Sequence, residues 1–389
     1  HPDLILLDEP TNDLDLPTLK LLEQFILESD AAILFVSHDE TLLERCATAV
    51  LHLEQIKRKT QPRWTFCHLG YRDYLEQRNH LAQRQDQLAT KQRQEYQKQQ
   101  QRVQRLAQNV EVALNSVSRQ QPHAAKMLKR KMHSVRALQR RLDEKELTHR
   151  FEGEEQIELL FEPDVGIAHE RKQILQLRLD ELWAQDHLCA RNVELSLYGR
   201  EKTAIVGPNG CGKTTLLKVC WEKLKQRRDL RVGYMPQNYE ELLPLQLNPV
   251  DYLCGEKDAQ HRTRIQNHLG SLKFTPEEMM RPMSDFSSGQ KAKVLLVKLV
   301  TEKNDVLLLD EPTRNLSPMS ARQIRAQLAS FPGCILAVSH DRKFLQEVTD
   351  RCLRLGPQGL REENGTGSGQ TDEIDLYYSR SINRTGGCR

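Results

Sequence analysis

Residues 203–217 read TAIVGPNGCGKTTLL, and this stretch decides the fold of the chain. Thr203–Val206 predicts a short buried strand, and Lys213–Trp221 predicts the start of a helix. Between them, Gly207–Thr214 matches the pattern GxxxxGK followed by Ser or Thr. A strand, a glycine-rich loop and a helix in this order predict a phosphate-binding loop.

The loop residues have the chemistry that a bound phosphate requires. The glycines let successive backbone N–H groups turn towards an anion, and the helix start adds a partial positive charge. We expect Lys213 to reach the β- and γ-phosphates and the Thr214 hydroxyl to ligate Mg²⁺. The predicted nucleotide-binding residues are Gly207, Pro208, Asn209, Gly210, Cys211, Gly212, Lys213, Thr214 and Thr215. The alternative, a glycine turn that only tightens the connection, leaves the Lys-Thr pair unexplained.

The chain also contains an internal repeat, whose two parts we call the first copy and the second copy. LILLDEPTNDLD at Leu4–Asp15 recurs as VLLLDEPTRNLS at Val306–Ser317. ILFVSHDETLL at Ile33–Leu43 recurs as ILAVSHDRKFL at Ile335–Leu345. Both pairs are 302 positions apart, which indicates a duplicated domain. The same offset would place a phosphate loop of the first copy before His1, so we expect a chain truncated at its N-terminus.

In the second copy, two acids follow an apolar run. Val306–Asp310 is typical of a central parallel strand, and ligands bind at the carboxyl ends of such strands. We expect Asp310 to hold Mg²⁺ through water and Glu311 to polarise the attacking water as general base. His340 follows a second apolar run, Cys334–Val338, and is predicted to contact the γ-phosphate. A pair of solvated acids and a packed histidine are the alternatives, although the same Asp-Glu-Pro recurs in the first copy.

Composition excludes several classes of protein. No window of the 389 residues approaches the ~20 apolar residues of a membrane-spanning helix. Apolar residues make up 38% of the chain, which excludes a wholly disordered or collagen-like protein. None of the nine cysteines forms a CxxC pair, which favours reduced thiols in a cytoplasmic protein over a disulfide framework or a zinc site.

The segment between the two copies is basic and has a helical pattern. Residues 71–150 contain 18 Lys and Arg against 8 Asp and Glu. A thin apolar stripe predicts one long helix over Tyr71–Asn115, and a second helix is predicted to begin at Pro122. The stripe residues are Leu81, Leu88, Tyr96, Val103, Leu106, Val110 and Leu114, then Leu128, Met132, Val135, Leu138 and Leu142. Two such helices with a short break predict an antiparallel helical hairpin, a short coiled coil.

The charge of this hairpin predicts a polyanionic partner. Arg-rich helices with almost no aromatic residues suit contacts with the backbone and shape of structured RNA better than base stacking. The predicted RNA-binding residues are Lys126, Lys129, Arg130, Lys131, Arg136 and Arg140. The alternative is a solvated spacer whose charge only keeps it soluble.

These motifs, in this order, resemble those of an ABC ATPase. Its Walker A, Q-loop, signature, Walker B and H-loop are similar to Gly207–Thr215, Gln237, Phe286–Gln290, Asp310-Glu311 and His340. The signature residues would be Ser287, Ser288, Gly289 and Gln290, which depart from the common LSGGQ. The resemblance implies an α/β fold, a P-loop NTPase cassette with a parallel sheet, and an enzyme that hydrolyses ATP with Mg²⁺.

The resemblance also implies roles for individual residues. The implied metal-site residues are Thr214, Gln237, Asp310 and Asp8, and the implied catalytic residues are Glu311, His340, Glu9 and His38. Trp183 would stack on adenine, and a core aromatic is the equally supported alternative. Cassettes of this kind pair head to tail, so that each ATP lies between one phosphate loop and the signature of the other cassette.

Two cassettes joined by a basic hairpin, without a membrane segment, resemble the ABC-F subfamily. This resemblance implies a cytoplasmic factor that binds the ribosome, including rRNA and tRNA, in translation or antibiotic resistance. The predicted divisions are residues 1–60 for part of the first cassette, 61–165 for the hairpin linker, 166–356 for a complete second cassette and 357–389 for a disordered tail. Two alternatives stay open: the nucleotide-binding subunit of a transporter, which would need a permease, and an inactive RNA-binding remnant.

Overall fold

The computed structural model describes residues 2–12, 14–56, 61–116, 122–143, 172–255 and 258–362. The chain divides into two compact units, one formed by Thr48–Glu154 and the other by His1–Ala47 together with Glu155–Arg389. The first and second copies therefore belong to one unit, and the segment between them forms the other.

The first copy contributes two strands and two helices. In chain order they are β1 (Leu4–Asp8), α1 (Leu16–Glu28), β2 (Ala32–Val36) and α2 (Glu40–Cys46). β1 and β2 pair in parallel, with Asp8 opposite Val36. Asp15 caps α1, because its carboxylate accepts a hydrogen bond from the N–H of Thr18 at 3.1 Å.

The unit Thr48–Glu154 consists of a strand pair and a helix pair. Its elements are β3 (Val50–Ile56), β4 (Gln61–Cys67), α3 (Tyr71–Ser116) and α4 (Pro122–Asp143). β3 and β4 pair antiparallel across the predicted boundary at residue 60, so that boundary is wrong. α3 and α4 pack on each other and are joined by a short connection, which makes them antiparallel as predicted. The predicted hairpin tip lies partly outside the described residues.

The apolar stripe predicted for the hairpin is partly wrong. Four of its leucines are exposed, namely Leu81, Leu88 and Leu106 of α3 and Leu138 of α4. The buried positions of α3 instead include Ala82 and Ala89, which directly follow two of those leucines. One position is a rotation of about 100° on a helix, so the buried face includes small residues that the pattern of large apolar side chains does not reveal.

The second copy contributes eight strands and six helices of the described chain. They are β5 (Gln173–Ala184), β6 (His187–Tyr198), β7 (Lys202–Val206), α5 (Lys213–Leu224), β8 (Val232–Met235), α6 (Pro249–Cys254), α7 (Ala259–Ser271), α8 (Ser288–Thr301), β9 (Val306–Asp310), α9 (Pro318–Ala329), β10 (Cys334–Val338), α10 (Arg342–Val348), β11 (Arg351–Gly356) and β12 (Gly359–Glu362).

A six-stranded sheet forms the centre of the second copy, in the order β12-β11-β7-β10-β9-β8. Neighbouring strands are parallel except for β11 and β12, and β5 pairs antiparallel with β6 in a separate sheet. Every residue of β9 and β10 is buried, as expected for central strands covered on both faces. The predicted α/β class with a parallel sheet is confirmed.

Two apolar cores cover the faces of this sheet. Leu307 and Leu309 of β9 belong to the core that contains α8 and α9. Leu308, between them, belongs to the core that contains α5, β5 and β6. Because successive side chains of a strand point to opposite faces, β9 is held from both sides, and its carboxyl end is fixed beside the loop before α5.

The predicted start of the tail at residue 357 is wrong. Gly359–Glu362 forms β12, which pairs with β11 through a tight turn. Gly359 has a φ of +99°, and a Cβ there would lie 2.5 Å from the carbonyl oxygen of Asn192. Glycine in this segment therefore makes a turn rather than a flexible tail. Residues 363–389, the rest of the predicted tail, lie outside the described residues.

Candidate nucleotide-binding site

The phosphate loop follows β7 and leads into α5. Gly210 and Gly212 have φ values of +76° and +95°, a region that favours glycine. A Cβ on Gly212 would lie 2.8 Å from the Cβ of Cys189, and a Cβ on Gly207 would lie 2.6 Å from the carbonyl oxygen of Leu355. Left-handed turns and close packing therefore both require glycine here, as the sequence pattern predicts.

Lys213 begins α5 and lies over this loop. Its ammonium donates hydrogen bonds to the carbonyl oxygens of Gly207 at 2.9 Å and Pro208 at 2.8 Å. Because the side chain is buried, a positive charge is held at the centre of the loop. Together with the partial charge at the start of α5, this arrangement suits an anion.

Asp310 ends β9 beside the loop and is only 1% exposed. Neither of its carboxylate oxygens makes a hydrogen bond of good geometry among the described residues, although the Thr214 hydroxyl is close enough to stabilise the charged form. Burial raises the pKa of Asp310 to about 6, although the nearby Thr214 hydroxyl and Lys213 ammonium act in the opposite direction. A buried carboxylate without partners is costly, so these two oxygens indicate a place for a cation.

Glu311 and His340 form a pair next to Asp310. Glu311 has a φ of +51°, and its carboxylate accepts a hydrogen bond from the N–H of His340 at 3.3 Å. Its other oxygen lies 3.8 Å from Nε2 of His340. Burial raises the pKa of Glu311 to about 8, with Asp310 acting in the same direction. Burial and the Lys213 ammonium lower the pKa of His340 to about 4, so this ring is neutral near pH 7.

The first copy repeats this pair in a more open form. Glu9 has a φ of +44°, and its carboxylate accepts from the N–H of His38 at 3.2 Å. Oε1 of Glu9 lies 3.3 Å from Nε2 of His38. The side chain of His38 is 47% exposed, against 18% for His340. Asp8, the counterpart of Asp310, is exposed.

A cavity of about 480 Å³ brings residues of both copies together. Predicted site residues in its lining are Asn209, Gly210, Gly212, Lys213, Thr214, Thr215, Gln237, Asp310, Glu311, His340, Glu9 and His38. Lining residues that sequence reasoning missed include Thr11, Asn12, Leu14, Thr313, Arg314 and Asn315. The internal repeat could have indicated these residues, because three of them follow Asp-Glu-Pro in the first copy and the other three follow it in the second copy.

Trp183 lies at the end of β5, outside the lining of this cavity. Its side chain is 50% exposed, and its indole N–H donates to Glu181 at 2.9 Å. The core-aromatic alternative is therefore wrong. Stacking on adenine stays a prediction, and the neighbouring Ala184 does line the cavity.

The signature residues form the N-terminus of α8, away from the cavity lining. Ser287 and Gln290 make a capping box, in which the Ser287 hydroxyl accepts from the Gln290 N–H at 3.3 Å and the Gln290 amide oxygen accepts from the Ser287 N–H at 3.0 Å. A Cβ on Gly289 would lie 2.6 Å from the carbonyl oxygen of Asn315. The departure from LSGGQ, at Phe286 and Ser288, therefore leaves the capping serine and glutamine and the glycine that packing requires unchanged.

Mg²⁺ fits the residues beside the phosphate loop. Within the described ranges, no cluster of three or more His, Cys, Asp and Glu residues could hold a metal by itself. Mg²⁺ that accompanies a nucleotide needs only one or two carboxylates, because phosphate oxygens and waters complete its shell. The unpaired oxygens of Asp310, with Thr214 nearby, meet that need. The exposed Asp8 offers no comparable buried position.

The predicted RNA-binding residues lie on one helix of the other unit. Lys126, Lys129, Arg130, Lys131, Arg136 and Arg140 all belong to α4, and all six are exposed. Their charges are therefore accessible to a partner from solvent. The described part of the chain has no helix with the length and apolarity needed to cross a membrane.

Comparisons with known proteins agree with these observations. The family described as ABC transporter matches residues 190–314, which contain the phosphate loop, the signature and the acidic pair. The chain is 27% identical, over 94% of its length, to ABC transporter F family member 5 of Arabidopsis thaliana, and covers 50% of that protein. It is 30% identical, over 93% of its length, to the ribosome protection protein VmlR of Bacillus subtilis (strain 168), and covers 66% of it.

The chain thus spans between half and about two thirds of these two relatives. Among solved structures, it is similar to a dimeric ATP-binding cassette in a post-hydrolysis state with ADP and Pi. That similarity has a TM-score of 0.41 and 18% identity, and covers 50% of this chain and 96% of the solved one.

Proposed function

The chain belongs to the ABC-F family of ABC ATPases, and on this premise we propose that its second copy binds and hydrolyses ATP. The observation that carries this proposal is the buried carboxylate of Asp310. Neither of its oxygens makes a hydrogen bond of good geometry, and it lies beside Lys213 and Thr214 in the same cavity as a glutamate with a raised pKa. A structural carboxylate would instead be paired with a neighbouring donor.

Binding would use the loop as an anion site. The backbone N–H groups of the loop and the start of α5 would hold phosphate oxygens, and Lys213 would exchange its two loop carbonyls for the β- and γ-phosphates. Mg²⁺, held by Thr214, Gln237 and Asp310, would supply positive charge to the phosphates. Trp183 would offer its exposed face to adenine.

Hydrolysis would use Glu311 as the proton acceptor. As the water oxygen bonds to the γ-phosphorus, the bond from phosphorus to the bridging oxygen breaks, and ADP and phosphate are formed. The proton released by the water goes to the ionised form of Glu311, whose raised pKa makes that carboxylate a stronger base than an exposed glutamate and favours activity at a pH near or above 8. His340, neutral and fixed by its contact with Glu311, would orient the γ-phosphate.

Phosphate release from Mg-ATP tests this proposal directly. Asp310→Asn preserves the size of the side chain and removes its charge, so we expect turnover to fall on the order of a hundredfold. Asp186→Asn, at an exposed turn, is the matched control. Equal turnover of the Asp310 variant and the control would contradict the proposed metal site.

We further propose that the basic hairpin directs this ATPase to the ribosome. The exposed Lys and Arg residues of α4 would contact rRNA phosphates. The phosphates of a tRNA on the ribosome would be a second partner for the same residues. One relative is named a ribosome protection protein, which supports a role at the ribosome, and we propose that this role is in translation or antibiotic resistance in the cytoplasm. Its cassettes would pair head to tail, without a permease.

Co-sedimentation with ribosomes over a range of salt concentrations tests the hairpin. If it neutralises about 6–10 phosphates, affinity should fall by roughly 10³–10⁵ between 50 and 200 mM salt. Replacing Lys129, Arg130 and Lys131 with Gln should weaken binding and make the salt dependence shallower. The control replaces Arg200, Arg228 and Arg264, which are exposed on the other unit, with Gln.

Two outcomes would favour the other readings of the sequence. Co-purification with membranes instead of ribosomes would point to a transporter subunit. Ribosome binding without any release of phosphate from ATP would point to an RNA-binding protein that has lost its enzyme activity.

A further inference from the structure

The two copies meet through helices that carry opposite charges. Glu23 of α1 and Glu40 of α2 belong to the first copy, and Arg325 of α9 and Arg342 of α10 belong to the second. Arg325 donates to Glu40, and Arg342 donates to Glu23. Glu23, Glu40 and Arg325 are 3%, 4% and 1% exposed, and the side chain of Arg342 is 19% exposed, so one ion pair is buried and the other is mostly buried.

The repeat relates these four residues in a simple way. Glu23 and Arg325 are 302 positions apart, and so are Glu40 and Arg342. The two ion pairs are therefore the same contact made twice, once in each direction across the boundary between the copies. At both positions the first copy has a carboxylate and the second copy has a guanidinium.

At a third repeat position the charges are reversed, so that the first copy has the guanidinium and the second copy has the carboxylate. Arg45 of α2 corresponds to Glu347 of α10. Within the first copy Arg45 donates to Glu23 at 3.0 Å, and within the second copy Arg325 donates to Glu347 at 2.8 Å. Each copy thus has the same internal ion pair with its polarity inverted, so all three positions carry opposite charges in the two copies.

Pairing of two like copies would bury like charges. Two second copies in this arrangement would place Arg325 of each chain against Arg342 of the other. Two first copies would place Glu23 against Glu40 in the same way. Arg325 would keep its internal Glu347, and Arg342 would keep only the counterpart of Asp39, which lies 3.6 Å from it here. Each contact would nevertheless lose its cross-copy glutamate and bring two like charges together, which repel when they are removed from water.

We propose that these six exchanged charges make each copy recognise the unlike copy and exclude a second copy of itself. The partner that this surface fits is the opposite half of the repeat, and two second copies from different chains are rejected. This role goes beyond ATP hydrolysis, because it selects which halves assemble around the cavity. Lys343 and Glu44, 2.8 Å apart, add one more cross-copy pair of the same polarity.

The first experiment gives both copies the same charges. R325E, R342E and E347R together convert the second copy to the charges of the first and preserve an internal ion pair. Cysteines introduced at Glu44 and Lys343 report pairing through the rate of intrachain disulfide formation. We expect this rate to fall on the order of a hundredfold, because two buried contacts then bring like charges together.

Adding E23R, E40R and R45E to that chain exchanges all six charges and should restore the rate. A chain with Glu44→Cys alone measures the background from native thiols. The rate of disulfide formation in the chain with six substitutions is compared with that in the chain with three. If the two rates are equal, charge complementarity is not what holds the contact, and the proposal fails.

The second experiment creates association instead of removing it. R325E with E347R leaves the net charge unchanged, and the new carboxylate at position 325 can face Arg342 of another chain. Sedimentation velocity should then show a dimer that the parent does not form at the same concentration. The control, R178E with E194R, exchanges an exposed ion pair in the second copy.

A variant as monomeric as the parent and the control would overturn the exclusion of like copies. The sedimentation experiment also tests the proposal if the variant with R325E, R342E and E347R fails to fold. Neither experiment depends on ATP turnover, so the pairing proposal and the proposed ATPase function can fail separately.

Discussion

β1 of the first copy and β9 of the second copy have almost the same sequence in different surroundings. β1 alternates exposed and partly buried residues and pairs only with β2 in the described chain, whereas β9 is buried throughout between β8 and β10. As a result, Asp8 is exposed, while Asp310 is buried with a pKa raised to about 6. The motif alone does not determine the electrostatics of its acid, which depend on the neighbouring strands and on the phosphate loop.

The local backbone, by contrast, is the same in both copies. Asp8 lies opposite Val36, and Asp310 lies opposite Val338. The glutamate that follows each aspartate takes a left-handed φ and accepts from the N–H of the histidine that follows the neighbouring strand. A short motif therefore specifies a turn and its hydrogen bond, and tertiary packing decides what the turn can do.

The largest expected effect concerns the phosphate loop, which is present in the described part of the second copy but not in that of the first copy. Lys213→Ala removes the buried ammonium over the loop, so Mg-ATP binding should fall below detection in titration calorimetry. Lys218→Ala on the same helix is the control, because that side chain is half-exposed and pairs with Glu241. Unchanged affinity of the Lys213 variant would refute the assignment of the phosphate loop.

The second largest effect should be the difference in turnover between variants of Glu311 and Glu9. Glu311→Gln removes the base at similar size, and turnover should fall by roughly 10²–10⁴ while nucleotide still binds. Glu9→Gln should cause a much smaller loss, because no phosphate loop lies next to Asp8 in the described part of the first copy. Phosphate release and nucleotide affinity are measured on the same preparations. Equal losses for the two variants would mean that both copies contribute to the chemistry.

Core packing offers a comparison that does not involve the site. Leu308→Ala should lower the free energy of unfolding by about 2–5 kcal/mol, since Leu308 is fully buried in β9. The repeat places Leu6 at the same position of β1, where it is 67% exposed, and Leu6→Ala should change stability by less than about 1 kcal/mol. Urea denaturation measures the free energy of unfolding of both variants, and the slope of this free energy against urea concentration should be the same as in the parent. Similar losses would show that β1 is covered in solution.

The smallest effect concerns the pH dependence of stability. The pKa of His340 is about 4 in the folded protein, against 6.5 as its ordinary value, so the unfolded chain binds more protons between these pH values. The free energy of unfolding should therefore decrease as the pH falls from 6.5 to 4. His340→Gln should remove about 2–3 kcal/mol of this decrease, measured by urea denaturation at several pH values. His38→Gln, at the half-exposed counterpart, should alter the pH dependence less.

Several parts of the fold and site could be predicted from the sequence because they depend on local patterns. Val306–Asp310 and Cys334–Val338 are continuous apolar runs with the same bounds as β9 and β10. The glycines of the phosphate loop have the left-handed φ values and close contacts that their spacing indicates. In each case the information lies within a few residues of the feature.

Other parts depend on contacts that no local pattern contains. Ala82 and Ala89 are buried, whereas an apolar pattern favours the adjacent leucines, because the pattern of large apolar side chains does not show which face of the helix is covered. Thr11 lines the cavity only because the first copy packs against the second. Arg325, with 1% exposure, could not be identified as buried, since arginine is usually exposed and the acidic partner that covers it from the first copy, Glu40, lies 285 positions away.

The ion pairs between the copies also have a genetic consequence. Repeated sequences in one gene can exchange short tracts by gene conversion, which makes the two repeats more alike. A tract that carried the codons for Arg325 and Arg342 into the corresponding positions of the first copy would bury arginine against arginine at both contacts. Such a recombinant would be selected against even though every substituted residue comes from the same gene. The exchanged charges therefore preserve the difference between the two halves, and their codons should change only in matched sets.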